Sequence, residues 1–466
     1  MTLLVFGMDG AVREYIEEAI DRGLMPNMER FMEDGAFGEM ESTIPPVTIP
    51  AWVSMFSGYR PDRFDTSHHT WLNEDYDIVL RNSSKWKGDF VWDRLDGEFG
   101  VINVPGTSPV WPINGFMVEG FPMVEDPDVY PSGLLEDIPD FDFVQTGQQP
   151  TKEKRRQAYH HNFEIRKKAF PQIGGKTDVR VEVFQLTDTN AHRSRSFEQV
   201  LEAYEKVDEV LGDRMEEYDN ILLVSDHGFT HIDNYFYVNT WLKEKGYLEE
   251  EDTVGRGLKE KIQELAAPLA ETFLRPFLKY LNDRLSASTG IDFSPKSGFI
   301  EAIDFQNTEA FSYLKATSNF GDININDDRW SQGSVQDTRK IREEIKEKLE
   351  GEDFVTDVWR SEDIYDSPDG MPDLLFRTTE DVAVGPPLFP EYLFSTDAFV
   401  HKRTGIYGAH GPAFRSGELE DADIVDVAPT LARYLGQELE ADGSPLDIFA
   451  EDFEPENVSD VSGIDF

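Results

Sequence analysis

Four short stretches set the limits on this fold: Leu3 to Met8, Val101 to Val104, Val181 to Leu186 and Ile221 to Val224. Each is rich in apolar and β-branched residues rather than strictly alternating. Strands buried on both faces read this way, and helices covering both faces of a parallel sheet bury them so. Helical spacing lies between the stretches, at Ile16, Ile20 and Leu24 ahead of Pro26, and from Phe197 to Leu211. Strands alternating with helices predict an α/β sandwich with a mostly parallel sheet.

The pattern changes after about residue 236. Residues 255–285 carry Leu258, Ile262, Leu265, Leu269, Phe273, Phe277 and Leu281 at helical spacing, and a further helix is expected near Thr338 to Leu349. Core-like texture resumes near Met371 to Phe376. The reading is therefore a discontinuous core, residues 1–235 and 376–450, interrupted by an insert or cap at 236–375. A late helix from Ile424 to Leu435 meets Gly436, a glycine placed to end it. Residues 451–466 form an acidic tail.

Composition narrows the function. The 466 residues hold 91 Asp and Glu against 44 Lys and Arg, a net charge of −47. Binding to a nucleic-acid duplex needs a basic footprint, and an anionic membrane would repel this chain. The acid is spread along the whole length, and 39% of residues are hydrophobic, too many for an acidic disordered chain. That pattern points to adaptation to very high salt. There are no cysteines, which excludes disulfides, thiolate metal sites and cysteine nucleophiles. The first ten residues lack the basic start of a signal peptide, and no apolar run is long enough to span a membrane. A soluble cytoplasmic protein is expected. Its oligomeric state is not written in the sequence.

Metal-type ligands follow the strand signals. Asp9 closes the first. Asp188 follows the third, with His192 four residues on. Asp226-His227-Gly228 follows the fourth, and His401 lies in Val400-His401-Lys402-Arg403-Thr404-Gly405-Ile406. Open α/β sheets bind ligands beyond the carboxyl ends of their strands, so these side chains can converge. Three carboxylates and three imidazoles suit Zn²⁺ or Mn²⁺. Taken singly, each has an ordinary reading as a helix cap, a turn or a surface histidine. The set together does not.

Thr48, in Pro45-Pro46-Val47-Thr48-Ile49-Pro50-Ala51-Trp52, is the candidate nucleophile. It is expected at the N-cap of a helix over Ile49 to Phe56, with Pro50 in the first turn. A helix N-terminus favours negative charge and offers free N–H groups to an anion, and a neighbouring cation favours the alkoxide. Thr43 lacks a following helix.

With these pieces in view, the chain resembles the alkaline phosphatase superfamily, in its type I phosphodiesterase/nucleotide pyrophosphatase branch. The resemblance rests on Gly7-Met8-Asp9-Gly10, Pro26-Asn27-Met28, the segment around Thr48, Ser57-Gly58-Tyr59-Arg60-Pro61, Asp188 with His192, Asp226-His227-Gly228, His401 with Gly405-Ile406, and Asp426 to Leu431. Val101 to Gly120 is similar to a segment frequent in archaeal members. The resemblance implies a three-layer sandwich with an inserted cap. It implies two divalent ions about 4 Å apart. Asp9, Thr48, Asp226 and His227 would hold one, and Asp188, His192 and His401 the other. It further implies a small phosphate ester or nucleotide as substrate, attacked by Thr48 to give a covalent phospho-threonine.

Two departures from the family pattern bear on specificity. An Asn about twenty residues past the nucleophile is usual in nucleotide pyrophosphatases, and ungapped counting puts His69 there. His410 competes with His401 as a ligand, but the Gly405-Ile406 context favours His401 and leaves His410 a supporting role. A phosphomonoesterase or phosphomutase on the same core is the alternative reading. A sulfatase is disfavoured, since Thr48 cannot become formylglycine and Trp52 stands where its arginine would be. A metal-bound scaffold without activity is the remaining alternative.

Overall fold

The computed structural model describes residues 2–121, 127–136, 138, 146, 149–251, 300–314 and 318–455. The amphipathic stretch expected at 255–285 and all of the tail beyond 455 lie outside the described residues. The large sheet has ten strands. Its centre is five parallel strands in the order β6 (Asn220–Val224), β1 (Leu3–Met8), β5 (Val179–Phe184), β3 (Phe99–Val104) and β4 (Gly115–Glu119). Every residue of β1, β3, β5 and β6 is buried. The strands lack alternation because helices and loops cover both faces.

Two apolar cores flank this sheet. One holds Trp52, Phe56, Trp86, Phe90 and Val427, the other Phe6, Phe31, Phe184, Tyr204 and Leu211. The three-layer α/β expectation holds. Antiparallel β10 (Thr404–His410) pairs with β6 on one side and with β2 (Ala36–Glu41) on the other. The apolar spacing across Ile16 to Leu24 resolves into a helix at Arg13–Asp21, and a second helix starts at Pro26. Gly436 has φ +70° just past the helix Val427–Tyr434, as a terminating glycine should.

From the site, β7 (Gly228–Tyr237) runs outward between β8 (Val382–Gly385) and β9 (Leu393–Lys402). Beyond it lies a separate core built on a four-stranded sheet, in the order Ala310–Phe311, Phe320–Ile325, Leu374–Thr378 and Val355–Arg360. The strand expected to mark the return of the large core near Met371 to Phe376 belongs here instead. Leu374 to Phe376 is apolar because that strand lies inside the smaller sheet. Apolarity shows that a strand is interior, not which sheet it joins. The chain rejoins the large sheet at β10.

Candidate active site

The site forms where β1, β5 and β6 end together. Gly10 follows Asp9 with φ +73°, and a Cβ there would lie 2.7 Å from the Phe229 ring, so glycine is required. The Gly10 N–H donates to Asp226 Oδ1 at 3.1 Å. Ser225 Oγ accepts from the Ala11 N–H at 2.9 Å and donates to the His227 carbonyl at 2.6 Å. These bonds stitch the ends of β1 and β6 together. β5 ends at Phe184, so Asp188 does not close that strand. It lies in the first turn of α2 (Leu186–Ala191), with His192 as the C-cap. The Asp188 N–H donates to the Asp9 carbonyl at 3.1 Å, which still brings Asp188 to the common edge. His401, next to last in β9, pairs with Phe229 of β7.

The side chains converge in two groups, Asp9–Asp226–His227 and Asp188–His227–His401, whose ligand atoms lie within 4.8 Å of one another. His192 joins the second group. Its Nε2 is 2.8 Å from His401 Nε2 and 3.3 Å from Asp188 Oδ1, and His401 Nε2 is 3.1 Å from the same oxygen. The first group is sealed, with Asp9, Asp226 and His227 almost wholly buried. The second opens outward, since the His192 side chain keeps 26% of its exposure and that of Asp188 14%.

The proton positions follow from the partners. His401 Nδ1 lies 2.9 Å from the Pro46 carbonyl, which can only accept, so Nδ1 carries a hydrogen. His227 Nδ1 lies 3.2 Å from the Gly228 carbonyl and carries a hydrogen for the same reason, while burial disfavours a second proton on this ring. His227 Nε2 thus turns a lone pair toward Asp226 Oδ2 at 3.2 Å and Asp9 Oδ1 at 3.8 Å. Both of those oxygens are buried without a hydrogen-bond partner. Burial pushes the Asp9 and Asp226 carboxyls well up, and the neighbouring carboxylates push in the same direction. Burial also drives His227 well down, with His401 adding to the effect. Asp188 is held well below the usual carboxylate range. Burial opposes this, but His192 and His401 outweigh it.

Acceptors facing acceptors, with orphaned buried oxygens, is an arrangement that costs free energy until a cation fills it. The donor set fits divalent metals with N/O preference.

Thr48 opens α1 (Thr48–Ser57) as its first helical residue, one place later than the expected N-cap, which is Val47. From Pro45 to Ser57 every residue but Thr48 is buried. Its Oγ1 lies 3.3 Å from His227 Nε2. One turn on, Trp52 Nε1 donates to Asp9 Oδ2 at 3.4 Å. Trp52 therefore supports a ligand, a role visible in the i, i+4 spacing from Thr48 but not drawn from it. The Pro46 and Ser225 contacts left no sequence signal, because both depend on which chain ends meet.

His69 belongs to neither ligand group. Its ring stacks on His68, with centroids 3.9 Å apart, and lies 6.3 Å from Phe121, just past the carboxyl end of β4. The supporting role given to His410 is corrected. β10 runs antiparallel to β6, so Gly405 abuts His227 while His410 pairs with Ile221 at the opposite end of that strand. The His410 ring stacks on Phe31 instead.

The structure thus gathers carboxylates, imidazoles and a helix-terminal hydroxyl at the carboxyl edge of an α/β sandwich, and the family it matches is one of phosphoester hydrolases. Residues 3–375 match the family model for type I phosphodiesterase / nucleotide pyrophosphatase, and the chain belongs to that family. Among solved structures, murine ectonucleotide pyrophosphatase / phosphodiesterase 5 is similar at 13% identity and TM-score 0.55, covering 95% of this chain and 98% of that one. An inactive threonine-to-alanine form of the same murine protein, in complex with AMP, aligns with TM-score 0.54 at 12% identity, covering 95% of this chain and 97% of that one. Phosphonoacetate hydrolase from Sinorhizobium meliloti 1021, in complex with phosphonoformate, aligns at 14% identity and TM-score 0.53, covering 88% of each chain. No curated protein sequence matches this chain.

Proposed function

We propose that this protein hydrolyses phosphodiester or nucleotide pyrophosphate bonds through a covalent phospho-threonine on Thr48. The observation that carries the reading is the single partly exposed hydroxyl of Thr48 at a helix N-terminus, 3.3 Å from His227 Nε2 and beside both ligand groups. The murine relative's inactive threonine-to-alanine form lends support.

Asp9, Asp226, His227 and Thr48 would hold one divalent ion, and Asp188, His192 and His401 a second, with zinc or manganese suiting the donors. Bound there, such ions supply Lewis-acid stabilisation of the phosphoryl oxygens and favour ionised oxygen nucleophiles. The chain's own contribution is positional. The free N–H groups at the start of α1 face an incoming anion. Thr48 Oγ1 gives up its proton to solvent and attacks phosphorus, the P–O bond to the leaving alcohol or phosphate breaks, and the leaving oxygen takes a proton from solvent. Water then attacks the phospho-threonine and returns the hydroxyl. Two dications against three carboxylates leave the site near +1, which one diester anion neutralises better than a monoester dianion does. His69, beside Phe121, is assigned a donor role toward a phosphoryl oxygen. The uniform acidity is assigned to a cytoplasm of very high salt, as in halophilic archaea. Among the described residues no helix is long and apolar enough to cross a membrane.

The test is hydrolysis of bis-p-nitrophenyl phosphate, p-nitrophenyl phosphate and p-nitrophenyl sulfate in molar KCl with Zn²⁺ or Mn²⁺. The diester is expected to be cleaved fastest. A preference for the monoester would overturn the assignment.

A further inference from the structure

The chain entering the nucleophile is Ile44-Pro45-Pro46-Val47. Two of these residues have no N–H, so carbonyls are their only backbone hydrogen-bonding groups. All four carbonyls are taken. Ile44 O accepts from Tyr365 Oη, Pro45 O from Thr43 Oγ1 at 2.8 Å and Pro46 O from His401 Nδ1 at 2.9 Å. Val47 O accepts the first helical bond, from the Ala51 N–H at 2.9 Å. Thr43 and Ala51 are local. His401 reaches in from the ligand cluster, and Tyr365 reaches in from the insert.

Tyr365 is 7% exposed and packs with Leu314, Met371 and Leu375, a cluster against which Ile44 also lies. Two residues on, the Ser367 N–H donates to Asp62 Oδ2 at 3.0 Å, in the turn just beyond α1. One insert segment therefore grips the core on both sides of the nucleophile helix. His401 fixes the segment at Pro46, and Tyr365 adds a second fixed point, from the insert, two residues earlier at Ile44.

We propose that Tyr365 is a positioning residue for Thr48, through which docking of the insert sets the aim of the nucleophile. This rests on the reading of Thr48 given above. The phenol touches neither substrate nor ligand cluster, so its loss should act on the rate of attack and not on substrate affinity.

The test is Tyr365→Phe, which keeps the ring and removes the donor. On bis-p-nitrophenyl phosphate, kcat is expected to fall about five- to tenfold, the effect of one lost hydrogen bond expressed in the transition state. Release of p-nitrophenol in a single turnover, with enzyme in excess, should slow by the same factor, with KM within about twofold of wild type and metal content by mass spectrometry unchanged. Equal kcat and single-turnover rates in variant and wild type would overturn the proposal. So would a raised KM at constant kcat, or loss of bound metal. If Tyr365→Phe does not fold, as judged by thermal melting, Asp62→Ala replaces it, since it loosens the same insert segment at Ser367. Its kcat and single-turnover rate should then fall at unchanged KM, and rates equal to wild type would overturn the proposal. If wild type cleaves none of the esters, the phosphodiesterase reading fails. If wild type is active and Tyr365→Phe matches it, only the role of Tyr365 fails.

Discussion

Asp226→Asn should stabilise the metal-free protein while destroying its response to metal. Asp9 and Asp226 lie in one group whose ligand atoms are within 4.8 Å of one another, and both are buried. Two unit charges at that distance, with an effective dielectric constant of 20, repel by about 3.5 kcal/mol. Both carboxyls have raised pKa values in the fold, so the metal-free protein favours their protonated forms. That contribution is present at low pH and is lost as pH rises through the folded values. Asparagine removes the charge and keeps the acceptor for the Gly10 N–H. The gain is expected to be about 2–3 kcal/mol in EDTA at alkaline pH, shrinking toward acid. For a chain of 466 residues, unfolding entropy of about 2.1 cal/mol/K per residue makes this roughly 2–3 °C in Tm. Metal has the opposite effect. At a thousandfold excess over Kd each ion adds about 4 kcal/mol to wild type, and the variant should lose the increment from the Asp9–Asp226–His227 ion. The assay is thermal melting of both proteins in EDTA and in Zn²⁺ or Mn²⁺, from pH 6 to 9. A variant that melts below wild type in EDTA at pH 9, or that gains the full wild-type metal increment, would refute the reasoning.

Other outcomes follow from the same geometry. Thr48→Ala should reduce diester turnover by at least about a thousandfold, since it removes the proposed nucleophile, with bound metal measured alongside. Activity surviving that change would sink the assignment. Glu182, wholly buried between Arg180 at 2.7 Å and Arg214 at 2.8 Å, should lose about 3–5 kcal/mol on change to Gln, because two buried guanidinium groups lose the carboxylate they share and, among the described residues, only Arg214 keeps another, Glu217 at 3.4 Å. Denaturant melts in low and molar KCl should give the same loss, as buried pairs are little screened. His410→Ala should leave kcat/KM within about twofold of wild type, since its ring faces Phe31; a tenfold loss would restore it to the site.

What the sequence made legible is what chain continuity enforces. A ligand one to four residues past a central parallel strand must arrive at the carboxyl edge, so Asp9, Asp188 and Asp226 could be placed without knowing the packing. Asp188 shows the margin, since it arrives on α2 rather than on the strand, yet at the same edge. His401 was separable from His410 only through Gly405-Ile406. The structure supplies the reason, for a Cβ at 405 would lie only 3.1 Å from the His227 backbone. The strand at Leu374–Thr378 was misplaced because its apolar pattern suits either sheet, and pairing with Phe320–Ile325 decides between them. Tyr365 was invisible for a different reason. Its partner is a backbone carbonyl 321 residues away, and a carbonyl has no sequence identity.

The overall charge and the site make opposite demands, and burial reconciles them. A net charge of −47 would repel a phosphate ester if the field acted over distance. In molar salt the Debye length is about 3 Å, so an approaching anion responds only to groups it nearly touches. What it meets on the open side is Thr48, the start of α1 and the His192 edge, while Asp9 and Asp226 lie sealed behind His227. At that screening the acids outside this edge would not set affinity. The three within it are the ones whose charge a bound cation reverses. The same sequence bias can therefore suit the solvent and leave the chemistry to a handful of buried groups.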